Sequence, residues 1–231
     1  MIPLRDENPS FSTPVITRAI IVINCAVFLY ELMLGPDLRY FMFGWGLVPE
    51  RLTLALHYHE EPVLLPALTL FTSMFLHGGW MHLIGNMWYL WIFGDNIEDR
   101  LGKPRFVAFY LIGGIVSATA HYLTATGSRV PTVGASGAIA AVLGAYAVTF
   151  PRARVVTLVP FFPFFQIMAL PALVVLGLWF VIQFFSGALS LAWSQGGGGI
   201  AWWAHIGGFV FGAVLMKILS PNRPAHVSEL Q

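Results

Sequence analysis

A serine between glycines opens an apolar stretch at residues 132–146, TVGASGAIAAVLGAY. Ser136 in that setting could be a packing residue, a helix cap or a nucleophile. A serine hydroxyl attacks a carbonyl only when a base takes its proton, and the candidate base is His205 in WWAHIGG. His82 and Asn86 stand four residues apart, so on a helix they share a face. No Asp or Glu lies in the apolar segments around Ser136 or His205, and Glu31 stands near the far end of the first apolar run. These residue types point to a Ser–His dyad rather than an Asp-supported triad. The Asn86 amide, a ring N–H of His82 and the backbone N–H of Ser136 at a helix N-terminus are candidate donors to a developing oxyanion. Hydrolysis also needs water, which implies a polar cavity open to the outside.

The elements that must position these groups are membrane helices. Of 231 residues, 57% are hydrophobic and 10% charged, far too apolar for a soluble domain of this size. The net charge of +1, with no basic cluster, gives no sign of nucleic-acid binding. The single cysteine, Cys25, excludes an internal disulfide and reads as a packing residue. Six apolar stretches approach the length of a membrane span, at about 17–34, 80–97, 104–124, 134–149, 167–191 and 200–219. The expected fold is an all-α, six-transmembrane-helix bundle forming one domain over 1–231. A long outer loop, 35–79, carries short helices at the surface. The first stretch follows TPVITR without a small-residue cleavage site and reads as a retained helix. The run SQGGGG at 194–199 reads as a flexible hinge before the sixth helix.

Lys and Arg set the expected orientation. Arg5, Arg18, Arg100, Lys103, Arg105, Arg152, Arg154, Lys217 and Arg223 fall on one side, against Arg39, Arg51 and Arg129 on the other. Both termini are therefore expected in the cytoplasm, with the inner membrane of a bacterium as the expected setting. Helix rise then puts Ser136 and His205 each roughly 21 Å, and His82 roughly 18 Å, above the inner boundary. Three helices thus bring polar groups to one level, where an ionisable or polar side chain is costly unless it faces the bundle interior. Small residues agree with close helix contact: Gly137, Ala141 and Gly144 on the fourth stretch, Gly208 and Gly212 on the sixth.

Taken together, GASG at 134–137, HGGWMHLIGN at 77–86 and AHIGGFVFG at 204–212 resemble the motifs of the rhomboid family of intramembrane serine proteases. The likeness extends over nearly the whole chain, in motif order as well as content. It implies Ser136 as nucleophile and His205 as general base. It assigns His82 and Asn86 to the oxyanion hole, with Ser136, and gives supporting roles to His77 at the cavity mouth, Gly134 and Gly137. It implies single-span transmembrane proteins as substrates, cut near the outer face after entering past the fifth helix and the loop before the sixth. It implies no metal and no cofactor. Two positions depart from the family pattern. Leu68-Thr69 stands where many members carry Trp-Arg in the long loop, and Ala140 where some place an aromatic ring on the histidine.

Other readings are weaker. A metalloprotease would need H-E-x-x-H, which is absent from the sequence. An aspartyl protease would need two acidic residues inside spans, and only Glu31 approaches that. A transporter would show two related halves, and no such symmetry is visible. A catalytically inactive relative that binds client helices is the main alternative, but it usually lacks the serine or the histidine. His57 and His59 read as a wetted loop, and Trp80, Trp88, Trp91, Trp202 and Trp203 as interfacial or packing residues. The charged run FGDNIEDRLG is expected to cap the second helix.

Overall fold

The computed structural model describes residues 1–161, 163–193 and 201–219. The expected hinge at 194–199 and Arg223 lie outside the described residues. The chain is mostly helical. Helix α1 (Val15–Met33) is followed by three short helices, α2 (Leu38–Trp45), α3 (Pro49–Thr53) and α4 (Leu64–Thr72). Then come α5 (Trp80–Leu101), α6 (Lys103–Thr124), α7 (Ser136–Thr149), α8 (Ala172–Trp193) and α9 (Trp202–Leu219). Among the described residues, four helices are long and apolar enough to cross a membrane: Val15–Met33, Lys103–Thr124, Ala172–Leu189 and Trp202–Leu219. This is an integral membrane protein.

The expected count of six spans is not reached on length and composition. Helix α5 has 22 residues, but its last turns carry Asp95, Glu98, Asp99 and Arg100. Helix α7 has only 14 residues, about 21 Å of rise against a hydrocarbon core of about 30 Å. Its setting explains its shortness. Residues 137–147 are all buried, because α7 is the centre of the bundle and touches α5, α6, α8 and α9.

An all-α fold is also corrected. Strands β1 (Ile2–Asp6), β2 (Arg154–Phe161) and β3 (Phe164–Pro171) form an antiparallel sheet in the order β1-β2-β3. The fifth apolar stretch therefore starts as a strand at 167, and its helix begins only after Pro171. The physical reason is local. Proline disfavours helical geometry in the residue before it, yet is welcome at the first turn boundary of a helix. Residues 154–161, rich in β-branched side chains, offer the partner strand, and Arg154 pairs with Pro171 at the far end of the hairpin.

The N-terminal segment is tied to the same end of the bundle. The Trp88 indole N–H donates to the Pro3 carbonyl at 2.7 Å, and the Tyr146 hydroxyl donates to Asp6 at 2.6 Å. Helix α1 has no capping side chain of its own at Pro14. Glu98 of α5 caps it instead, accepting from the backbone N–H groups of Ile16 and Thr17 at 2.9 and 2.7 Å and from the Thr17 hydroxyl at 2.8 Å. The charged run thus serves the first helix, not the second as expected. Free N–H groups at a helix start and their partial positive charge both favour a carboxylate there.

The long loop is more than surface. Leu47, Leu52 and Ala55 are buried, and Leu47 and Leu52 pack with Tyr122 of α6. A short bridge joins Leu47 to Thr132 just before α7. Arg51 grips Glu61 through two hydrogen bonds of 2.7 Å, a bidentate pair that ties α3 to the segment before α4. His57 and His59 are exposed, as a wetted loop requires.

Candidate active site

The site is assembled where α7 and α9 cross. A Cβ placed on Gly208 would run into the carbonyl oxygen of Gly137, and one on Gly212 would run into that of Ala141. One on Gly144 would meet the carbonyl of Phe209. The two backbones touch because each of these positions lacks a side chain, the close approach that small residues permit in lipid. Helix α6 locks the crossing from the side. The Ser117 hydroxyl donates to the carbonyl of Ala204, the residue before His205, and occupies the space a side chain at Gly137 would need.

Close approach brings the first turn of α7 against the first turn of α9. Ser136 Oγ lies 2.8 Å from Nε2 of His205, a full hydrogen bond between side chains 69 residues apart in the chain. His205 is 9% exposed, while Ser136 is half-buried and faces a recess. That recess is small, with a cavity volume of about 30 Å³, and Ser73, Ser117, Thr132, Gly134, Ser136 and Ala204 are among its lining residues. The other ring nitrogen of His205, Nδ1, lies 2.6 Å from the side-chain oxygen of Gln183 on α8, a buried residue. Trp179, one turn earlier on α8, holds its ring 5.8 Å from the imidazole at a tilt of 38°. The Trp202 ring stands edge-on at 6.4 Å.

Helix α5 and the segment before α7 bring the donors. Gly134 has φ +125°, a conformation that side chains resist, and a Cβ there would lie 2.6 Å from both Cε1 and Nε2 of His82. The same point is 3.6 Å from the Asn86 side-chain nitrogen. Both groups therefore lie against the backbone two residues before Ser136. The Gly78 N–H donates to Nδ1 of His82 at 3.3 Å, which leaves the ring proton on Nε2, the nitrogen facing Gly134. The Asn86 side-chain nitrogen is buried with no hydrogen-bond partner, although a buried donor is costly to leave unpaired. The backbone N–H of Ser136, at the first position of α7, is one of the N–H groups that an α-helix start leaves without a helical acceptor.

His77 is 1% exposed, so it does not stand at the mouth of the recess. Its ring meets that of His82 edge-on at 5.2 Å, and its backbone N–H reaches the buried carboxylate of Glu31 on α1 at 3.2 Å. Burial, reinforced by the neighbouring His82, pushes the His77 imidazole down to about 4, so it is neutral at ordinary pH.

A family model described as Rhomboid domain matches residues 66–222, a span that holds His77, His82, Asn86, Ser136, Gln183 and His205. The chain belongs to the rhomboid family. Among its relatives is "Presenilin-associated rhomboid-like protein A, mitochondrial" of Danio rerio, 38% identical over 146 residues, 61% of this chain and 34% of the relative. "Presenilin-associated rhomboid-like protein, mitochondrial" of Homo sapiens is 34% identical over 146 residues, 61% of this chain and 35% of that protein. "Rhomboid protein 1, mitochondrial" of Saccharomyces cerevisiae is 31% identical over 151 residues, 62% of this chain and 39% of the yeast protein. The chain thus spans little more than a third of the length of these relatives. All three are named as mitochondrial, which gives the expected bacterial inner membrane no support.

Within this rhomboid chain the two departures from the family pattern find a structural account. Ala140 is fully buried, and its Cβ would stand 3.3 Å from one on Gly208, so a ring there would force α9 away. The aromatic contact to His205 comes from Trp179 instead. Near Leu68-Thr69 the long loop is anchored by the Thr72 hydroxyl, which donates to the Trp45 carbonyl at 2.6 Å. Gln183 and Trp179 were missed by sequence reasoning. The available signal was an amide in a 22-residue apolar helix, with an indole four residues before it and so on the same face.

Proposed function

We propose that this rhomboid chain is an intramembrane serine endopeptidase, with Ser136 as nucleophile and His205 as general base. One observation carries the reading: Oγ of Ser136 and Nε2 of His205 meet at 2.8 Å across the α7–α9 crossing, beside a recess. In the proposed reaction the imidazole takes the serine proton as Oγ attacks the scissile carbonyl. The oxyanion of the tetrahedral intermediate is received by the Asn86 amide, the Nε2–H of His82 and the backbone N–H of Ser136, donors set in place before the charge develops. The imidazolium then gives its proton to the leaving amine, and water entering through the recess cleaves the acyl-enzyme by the same steps. His77 supports His82 through ring contact, while Gly134 and Gly137 keep donors and nucleophile in reach.

The proposed topology has six crossings in a single domain, α5 and α7 completing the set begun by the four long apolar helices. Helix α7 needs no lipid-spanning length of its own because protein surrounds it. Arg5, Arg152 and Arg154 gather on or beside the sheet, and Lys103 and Arg105 open α6. By the bias of Lys and Arg, that end faces the cytoplasm, and the recess opens toward the other side. Substrates in this reading are single-span transmembrane proteins cut near that outer face.

The test is labelling by a fluorophosphonate probe together with cleavage of a model single-span substrate in proteoliposomes. Wild type should label and cleave. Ser136→Ala and His205→Ala should do neither while remaining folded. Wild type that binds the substrate yet neither labels nor cleaves would instead identify an inactive, client-binding relative.

A further inference from the structure

We infer that Gln183 is the positioning residue of the base, holding the His205 ring in the tautomer that the proposed chemistry requires. The inference rests on the serine-protease reading of the Ser136–His205 pair. Its geometry is a line of three side chains from three helices, Ser136 Oγ to His205 Nε2 at 2.8 Å and His205 Nδ1 to Gln183 Oε1 at 2.6 Å. A neutral imidazole carries one proton. Facing a carbonyl oxygen, which only accepts, Nδ1 must be the nitrogen that holds it. Nε2 is then the free acceptor turned toward the serine hydroxyl, as a general base must be. The opposite tautomer would set the Nδ1 lone pair against the Gln183 oxygen and deny Ser136 an acceptor.

The burial of Gln183 supports a dedicated role. An amide in the middle of an apolar helix is costly unless paired, and Gln183 is 7% exposed with its oxygen on the imidazole. Trp179 lies one turn away on the same face, with its ring 5.8 Å from the imidazole. As the base takes the serine proton, the Nδ1–H to Gln183 bond gains a charged donor and strengthens. The amide therefore favours the imidazolium without placing a second ion in the bundle. This is the orienting part of a third triad member, performed by a neutral group. Among the described residues, the ionisable groups that act electrostatically on His205 are His82 of α5 and His121 of α6, neither of them a carboxylate.

The test uses the full chain in detergent micelles with Gln183→Met, similar in shape and without the acceptor, and Gln183→Glu, which offers an oxygen in either protonation state. For Gln183→Met, kcat should fall about 10- to 100-fold with KM nearly unchanged, as expected for a misaligned base. Gln183→Glu should recover most of that loss. Nitrogen-15 NMR of the imidazole, assigned against His205→Ala, should find the proton on Nδ1 in wild type and shifted toward Nε2 in Gln183→Met. Wild-type His205 protonated on Nε2, or Gln183→Met with unaltered kcat, overturns the inference. If Gln183→Met fails to fold, the wild-type spectrum and Gln183→Glu still decide. The spectrum needs no turnover, so an Nδ1–H ring in a chain whose Ser136 never labels would sink the protease reading while leaving the contact itself intact.

Discussion

Gly208→Ala tests whether the helix crossing, and not the mere presence of a serine and a histidine, makes the site. Gly208 lies three residues after His205 and on the same side of α9. Its missing side chain is replaced in space by the carbonyl of Gly137, the residue after Ser136. A methyl group there cannot be absorbed by a rotamer change, because the obstacle is backbone. Helix α9 must shift by on the order of 1 Å at this point, which would stretch the 2.8 Å contact beyond a useful hydrogen bond. A misplacement of that size costs about 100-fold in rate, and the overpacking itself costs about 1–3 kcal/mol of stability. Gly212→Ala meets the Ala141 carbonyl in the same way, one turn further from the site. It should cost similar stability with a smaller loss of rate. Gly177→Ala on α8 adds a methyl where nothing stands within 4 Å and serves as the neutral control. The assay is cleavage of a single-span substrate in proteoliposomes, with thermal midpoints measured in parallel. A folded Gly208→Ala protein that cleaves within threefold of wild type would refute the reasoning.

Asn86→Ala removes a buried donor that has no partner at rest, so it should lower kcat by about 100- to 1000-fold while barely touching stability; a large drop in thermal midpoint with unchanged kcat would assign Asn86 to packing. Glu98→Ala uncaps α1 by deleting three hydrogen bonds to a carboxylate, and differential scanning fluorimetry should find a loss of about 3 kcal/mol or more, against about 1 kcal/mol for the single side-chain bond deleted in Thr17→Ala. Burial raises the Asp6 carboxyl to about 6, opposed by the Tyr146 hydroxyl bond and aided by nearby Asp95. Because this folded value exceeds the unfolded one, the folded chain holds the extra proton, and the stability it contributes is present below about pH 4 and lost as pH rises through about 6. Asp6→Asn should therefore flatten the thermal midpoint between pH 4 and 7, and an unaltered slope would count against the assignment.

The helices and the polar pair were legible in the sequence for one reason: both depend on local pattern. The apolar runs at 17–34, 80–97, 104–124, 134–149 and 200–219 match α1, α5, α6, α7 and α9 to within a few residues. The sheet was not legible. Residues 167–170 are apolar in strand and helix alike, and hydrophobicity alone does not separate a short strand from the start of a buried helix. Pro171 was the usable sign. Strand β1 is five residues long and finds its partner only at residues 155–158, a pairing no local window contains. The depth of Ser136, His205 and His82 could be counted along helices, but Gln183 could not be matched to them. Its apolar stretch shows no break at the true helix start other than Pro171, and its partner His205 is 22 residues away across a segment outside the described residues.

Among the described residues no carboxylate bonds His205, which fits the setting of the proposed site. An Asp beside the imidazole would have to stay ionised among α7, α8 and α9, and burying an ion costs far more than burying an amide. A glutamine oxygen at 2.6 Å supplies the directional acceptor without that penalty. In the proposed reaction the charge appears only on the imidazolium and the oxyanion, which form together, so each offsets the other's desolvation. Hydrogen-bond donors held in place beforehand, as His82 is by the Gly78 N–H, need no rearrangement when that charge arrives. A site of neutral groups at rest is the arrangement an apolar bundle can keep folded, and the glycine contacts between α7 and α9 hold the proposed nucleophile and base within reach.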